Sequence, residues 1–185
     1  MKKLNLGCGN NYESGWINCD ISKKVKADFY FDLGKKRFPF KDNTFEEVKA
    51  EMVFEHLPDY NARVHFLREV HRVCKNGAKI FLSVPHFSSQ GAWGDLQHTR
   101  PFTSLSLDYF AVNKTHKYSI MQAQEVDGEN HLFYVVPKII FGKIHKLLGI
   151  SLFANSNSTR LIYEMFFAYI FPARELHFDL FVVKK

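Results

Sequence analysis

Two sets of residues in this chain have the types and spacing for chemistry. The first is Gly7-Cys8-Gly9, which closes the apolar run Leu4-Asn5-Leu6, together with Asp20, which closes the run Trp16-Ile17-Asn18-Cys19. Glycines let a ligand come close to the backbone. A carboxylate at the end of the following strand can accept hydrogen bonds from the paired hydroxyls of a ribose. Together they point to a nucleoside-bearing cofactor. The second set is His56, His86 and His98, whose imidazoles suit proton transfer near neutral pH. His86 and His98 are the expected catalytic pair on the acceptor side, and the plain alternative for each is a histidine that packs or caps its loop. The same loop holds Trp93 and Arg100, the expected substrate contacts. Arg100 can grip a carboxylate or phosphate with two parallel bonds, or clamp the loop to an internal acid. His86, Asp95 and His98 lack tight ligand spacing, so no metal is expected.

These residues need elements to hold them. Apolar runs predict strands at 3–7, 16–20, 27–33, 47–52 and 79–84. Between the last two, Tyr60, Val64, Leu67, Val70, Val73 and Cys74 repeat every three to four residues. That spacing predicts a helix capped by Asp59 and stopped at Asn76-Gly77. Gly9 and the second strand are separated by only about eight residues, too few for a full crossover helix. After Pro85 the texture changes to a loop rich in His, Ser, Gly and Gln over 86–103, then a short helix at 104–110. One or two strands are expected over 117–141, a helical aromatic segment over 143–171 ended by Pro172, and a last strand at 176–183, at or near an edge. The alternation predicts an α/β protein with a largely parallel sheet covered by helices on both faces. One domain is expected over 1–185, with a cofactor half at 1–85 and an acceptor half at 86–185.

Composition narrows the partners. Aromatics make up 16%, nineteen of them Phe, and the net charge is +6. Basic charge with aromatics fits nucleic acid, an anionic substrate or a membrane surface; it equally fits a Phe-rich core beneath a lysine-rich surface. Cys8, Cys19 and Cys74 lack metal or disulfide spacing and read as buried fillers in a reducing compartment. No signal-peptide pattern and no apolar run of about 18 residues is present, so a cytoplasmic protein is expected.

Five further motifs follow the glycine loop in order: Asp28 to Leu33, Phe38 to Val48, Glu55-His56-Leu57-Pro58-Asp59, Arg68 to Gly77, and Ile80 to Pro85. This series resembles the class I S-adenosylmethionine (SAM)-dependent methyltransferases, specifically the type 11 methyltransferase-domain group, closely over about residues 3–110 and more loosely beyond. The resemblance implies a Rossmann-like fold with a mostly parallel seven-stranded sheet and an antiparallel last strand. It implies SAM as cofactor, with Gly7, Cys8 and Gly9 under its amino-acid moiety and Asp20 on its ribose. It places Asp32 and Leu33 near the adenine, and Glu51 and Met52 beside the methionine portion. It implies methyl transfer to a hydroxyl, less readily an amine, of a small-molecule or glycan acceptor; the alternative is a SAM-binding module that senses without catalysis. No Asn-Pro-Pro-Tyr or Asp-Pro-Pro-Tyr signature occurs, so no nucleic-acid substrate is expected. The chain departs from the family where Asn11 replaces a third glycine and the helix behind it is short or missing. Segment 143–171, with Lys143, Lys146 and Arg160, is expected to cap the sheet, to lid the acceptor or to touch a membrane peripherally. The oligomeric state is left open.

Overall fold

The computed structural model describes residues 1–113, 132–142, 149–156 and 159–184. Seven strands form one sheet in the order β3-β2-β1-β4-β5-β7-β6. They are β1 (Lys3–Leu6), β2 (Ile17–Asp20), β3 (Phe29–Tyr30), β4 (Phe45–Glu51), β5 (Cys74–Pro85), β6 (Phe133–Ile140) and β7 (Glu175–Val182). The first five pair in parallel. β7 runs antiparallel to both β5 and β6. The expected antiparallel last strand is therefore present, one place in from the edge that β6 occupies. The chain direction across the sheet reverses between β1 and β4. That is the switch point where open α/β sheets bind ligands, beyond the carboxyl ends of their strands.

The core follows from the residue patterns. Leu4 and Leu6, Val48 and Ala50, and Ile80, Leu82 and Val84 are buried in the parallel strands. In β7 burial alternates, with Leu176, Phe178, Leu180 and Val182 inward. The helix α1 (Tyr60–Val73) starts where Asp59 Oδ1 accepts the Ala62 N–H at 2.8 Å. It buries Ala62, Val64, Phe66, Leu67, Val70 and Val73. Tyr60, expected on that face, is exposed. Much of the aromatic content lies in a chain of edge-to-face rings, with Phe29–Phe40 centroids 5.1 Å apart and Phe40–Phe45 5.0 Å apart. All three cysteines are free and buried.

Several boundaries differ from expectation for identifiable reasons. Asn76-Gly77 does not stop a helix. α1 ends at Val73, and the chain turns straight into β5, whose pairing with β4 shifts register between Phe45 and Glu47. Gly77 takes φ +74° there, a conformation glycine accepts without strain. The third strand shrinks from 27–33 to Phe29–Tyr30. The loop over 86–103 holds a short helix, α2 (Gln90–Gly94), and the helix expected at 104–110 is a single 3₁₀ turn, Asp108–Phe110. The helical pattern over 143–171 breaks into α3 (Ile150–Asn155), α4 (Arg160–Ile162) and a π turn at Tyr163–Phe167. Lys143 and Lys146, and part of the 117–141 strand expectation, lie outside the described residues. Among the described residues no helix lies between β1 and β2, where the chain takes turns instead.

Candidate active site

The cofactor side is built on the carboxyl ends of β1 and β2. Gly7 and Gly9 adopt φ +66° and +49°. At Gly7 the space for a side chain is already filled, since a Cβ would fall 2.3 Å from Val53 Cγ2. At Gly9 no atom lies within 4 Å of that position, which leaves the backbone open to a ligand. Asp20 ends β2 and is buried. Its Oδ2 accepts the Gly9 N–H at 2.8 Å and its Oδ1 accepts the Ser22 N–H at 2.8 Å. A carboxylate has about four acceptor sites, so each oxygen keeps one for a ligand hydroxyl. Behind the loop, Asn5 and Asn18 are buried and joined at 2.9 Å, and Asn18 also accepts from the Glu13 N–H. This amide network fixes the turn that a helix would otherwise fix.

The other cofactor-side residues take less uniform positions. Cys8 is buried with Sγ 3.6 Å from the Lys26 carbonyl, its N–H donates to the Cys19 carbonyl at 2.9 Å and its carbonyl accepts the Asn11 N–H at 2.8 Å, so it shapes the loop. Burial, followed by the charge of Asp20, raises the Cys8 thiol pKa. Asp32 Oδ1 caps its own turn by accepting the Gly34 N–H at 2.8 Å. Leu33 points into the core, which leaves it backbone contact at most. Glu51 is exposed and faces Lys49 Nζ at 3.4 Å. Met52 has φ +52°, rare for a residue with a side chain, and its N–H bonds the Ser83 carbonyl at 3.0 Å. Met52 also lines a cleft of about 430 Å³ with Pro85, Ser89, Gln90, Ala173, Arg174 and Glu175. This cleft sits where β4 and β5 end and β7 begins.

The acceptor-side expectations divide. His86 is fully buried. Its Nδ1 lies 2.8 Å from Ser88 Oγ and its Nε2 3.3 Å from Glu164 Oε1. Glu164 in turn accepts the Ser104 N–H at 2.7 Å and the Ser104 hydroxyl at 2.9 Å. With both ring nitrogens engaged and no exposed surface, His86 ties three segments together. His98 is different. It is half-buried, its Nδ1 has no hydrogen-bond partner among the described residues, and its ring stands 4.7 Å from that of His56. Trp93 is exposed, with its indole N–H on the Phe87 carbonyl at 2.7 Å. Arg100 is exposed and stacks 5.7 Å from the Phe102 ring. Arg160, counted from sequence among surface cations, is buried with Nη1 3.3 Å from the Pro137 carbonyl, so it adds no surface charge.

Sequence reasoning did not single out Glu55. It is 1% exposed, and neither carboxylate oxygen has a partner among the described residues. Burial, with the charge of Asp95 adding to it, pushes this carboxyl up to about 7. The signal that could have found it is its place: β4 and β5 are neighbours, so the Glu-His pair after one must meet the loop after the other.

With this geometry in place, the chain can be compared with known proteins. The methyltransferase-domain family, type 11, matches residues 4–82. Among curated protein sequences none matches. A SAM-dependent methyltransferase from Archaeoglobus fulgidus is similar in fold, with TM-score 0.61 at 16% identity over 97% of this chain and 85% of that one. A SAM-dependent methyltransferase from Mesorhizobium loti gives TM-score 0.50 at 13% identity over 97% and 90%. The cyclase SpnF gives TM-score 0.56 at 12% identity over 100% and 75%. These likenesses concern the fold.

Proposed function

We propose that this chain, whose residues 4–82 match the methyltransferase-domain family, is a SAM-dependent methyltransferase that methylates a hydroxyl, less readily an amine, on a small-molecule or glycan acceptor. Residues 1–85 hold the cofactor in this reading, and 86–185 form the acceptor side. The observation that carries it is the Asp20 carboxylate, with one free acceptor site on each oxygen beside the open backbone of Gly9. Paired acceptor sites on one carboxylate suit the two neighbouring hydroxyls of a ribose, which supports the cofactor reading. SAM, when bound, supplies an electrophilic methyl group on sulfur. The chain's own task is to hold the acceptor in line and keep water out, and such positioning lowers a barrier substantially. The 430 Å³ cleft beside Met52 is the acceptor's place. His98, half-buried with an unpartnered ring nitrogen among the described residues, is the histidine left for proton transfer, while His86 positions the loop.

A second observation supports contact with a lipid surface through the C-terminal helices. Leu152, Met165, Phe166, Tyr169 and Ile170 are exposed at 82%, 71%, 64%, 75% and 64%. A net charge of +6 favours anionic headgroups. Among the described residues, no helix is long and apolar enough to cross a membrane, so the contact would be peripheral. The test of the function is methyl transfer from labelled SAM to a panel of hydroxyl-bearing acceptors, free and lipid-linked. His98→Ala should lower turnover with SAM affinity nearly intact. Full turnover in that variant removes His98 from the acceptor side. Flotation with anionic vesicles tests the surface contact; Met165→Glu with Phe166→Glu should abolish it.

A further inference from the structure

The turn after β4 and the loop after α2 bring three metal-ligating side chains together. Glu55, His56 and His98 each offer a ligand atom, and these atoms lie within 4.8 Å of one another. The two segments are tied by backbone and side chain. The Thr99 N–H bonds the Glu55 carbonyl at 3.2 Å, Thr99 Oγ1 reaches the Leu57 carbonyl at 2.9 Å, and the buried Arg63 holds both Thr99 and the Leu57 carbonyl. The scaffold thus fixes the two backbone segments from which the three side chains project.

Buried polar atoms are normally satisfied. Here both oxygens of Glu55 and Nδ1 of His98 are buried and unpartnered among the described residues. Protonation would remove the charge of Glu55 but would leave its oxygens without partners. A cation satisfies all three atoms at once. Asp95 adds negative charge nearby, with Oδ2 3.8 Å from the other ring nitrogen of His98, Nε2. We infer that Glu55, His56 and His98 bind a divalent first-row transition metal ion. Two imidazoles and one carboxylate form a set that zinc and its neighbours accept with an open coordination site. Ligand bonds of about 2.1 Å would draw the widest donor pair in by no more than ~1.5 Å, within the reach of the exposed His56 side chain.

The position gives the ion a use, and this part rests on the methyltransferase reading. The turn that carries Glu55 and His56 begins at Val53, which packs on Gly7, and continues to Leu57, whose Cδ2 lies 3.4 Å from where a Gly34 Cβ would be. It therefore touches both loops assigned to the cofactor. An ion here can bind an oxygen of the acceptor at its open position and favour the ionised form of a hydroxyl.

The test is Co²⁺ titration of the chelator-treated full-length protein, read by the visible absorption of bound Co²⁺ and confirmed by Zn²⁺ displacement. One saturable equivalent per chain is expected. Glu55→Gln, His56→Gln and His98→Gln should each weaken binding at least tenfold, while His177→Gln, at a surface His–Glu pair, should change it less than twofold. His56 is exposed, so its variant should fold even if the buried Glu55 variant does not; circular dichroism checks both. Absence of a saturable band, or equal affinity in the His56, His98 and His177 variants, overturns the site. SAM affinity measured on the same samples separates the two readings: SAM bound without Co²⁺ sinks the metal site alone, and Co²⁺ bound without SAM sinks the methyltransferase reading alone.

Discussion

Gly7 offers a quantitative test of how the cofactor loop is held. A Cβ built there falls 2.3 Å from Val53 Cγ2, 3.0 Å from Cγ1 and 3.2 Å from Cβ. Because Val53 Cβ itself is crowded, rotating its stiff χ1 cannot clear the overlap. The backbone also sits at φ +66°, where an L side chain costs about 1–2 kcal/mol. Overpacking adds about 1–3 kcal/mol, so Gly7→Ala should cost about 2–5 kcal/mol. Gly9 is the internal control, with φ +49° and nothing within 4 Å of its Cβ position. Gly9→Ala should therefore cost only the backbone share, about 1–2 kcal/mol. Val53→Ala removes the 2.3 and 3.0 Å contacts and leaves the 3.2 Å one, so the double variant with Gly7→Ala should recover about 1–2 kcal/mol relative to additivity. Urea unfolding at constant m supplies the numbers. The reasoning is refuted if Gly7→Ala costs no more than Gly9→Ala, or if the cycle with Val53→Ala shows no coupling.

Other expectations follow from single contacts. His86→Ala should lower the melting temperature, with a loss of about 1–3 kcal/mol for the two buried hydrogen bonds to Glu164 and Ser88, which keep their bonds from Ser104 and Ala173; an unchanged melting temperature with turnover lost would make His86 catalytic after all. Arg72 bonds Glu69 at 2.8 and 2.7 Å, Asp42 at 2.6 Å and the Phe38 and Phe40 carbonyls at 3.1 and 2.9 Å. Arg72→Met should destabilise by about 3 kcal/mol, measured by the same urea method. For Glu69, burial opposes ionisation but its bonds from Arg72 and Phe38 outweigh it, and its pKa is lowered. For Asp42 the Arg72 bond comes first, again lowering the pKa. Their contribution is therefore full above the ordinary carboxylate range and lost as pH falls through their lowered pKa values. Thermal melts below pH 5 should show Arg72→Met converging on the wild type; a constant gap down to pH 2 would contradict the pairing.

The N-terminal half was legible because its information is local. Leu4 to Gly9, Trp16 to Asp20, the Asp59 cap and the continuous apolar run to Pro85 each declare an element within a few residues, and each element appears. The shortage of residues after Gly9 also announced the missing helix. What was illegible depends on contacts far apart in sequence. The burial of His86 depends on Glu164, itself held by Ser104, arriving from a later segment to engage its ring. Arg160 reads as a surface cation until the Pro137 carbonyl claims it. In 143–171 the apolar spacing was visible, but it does not reveal that the helix breaks into short turns with Tyr163 fully inside and Met165 outside. Asn76-Gly77 has the residue types of a helix stop, yet the strand pairing with Phe45 fixes the end of α1 earlier.

The central claim is that Asp20, anchored by the Gly9 and Ser22 N–H groups, holds the ribose of SAM. Isothermal calorimetry of SAM with the wild type, Asp20→Asn and Asp20→Ala tests it most directly. The wild type should bind. Both variants should bind at least tenfold more weakly, on the order of 1.4 kcal/mol, while circular dichroism shows them folded. Folded variants with wild-type affinity would contradict the account.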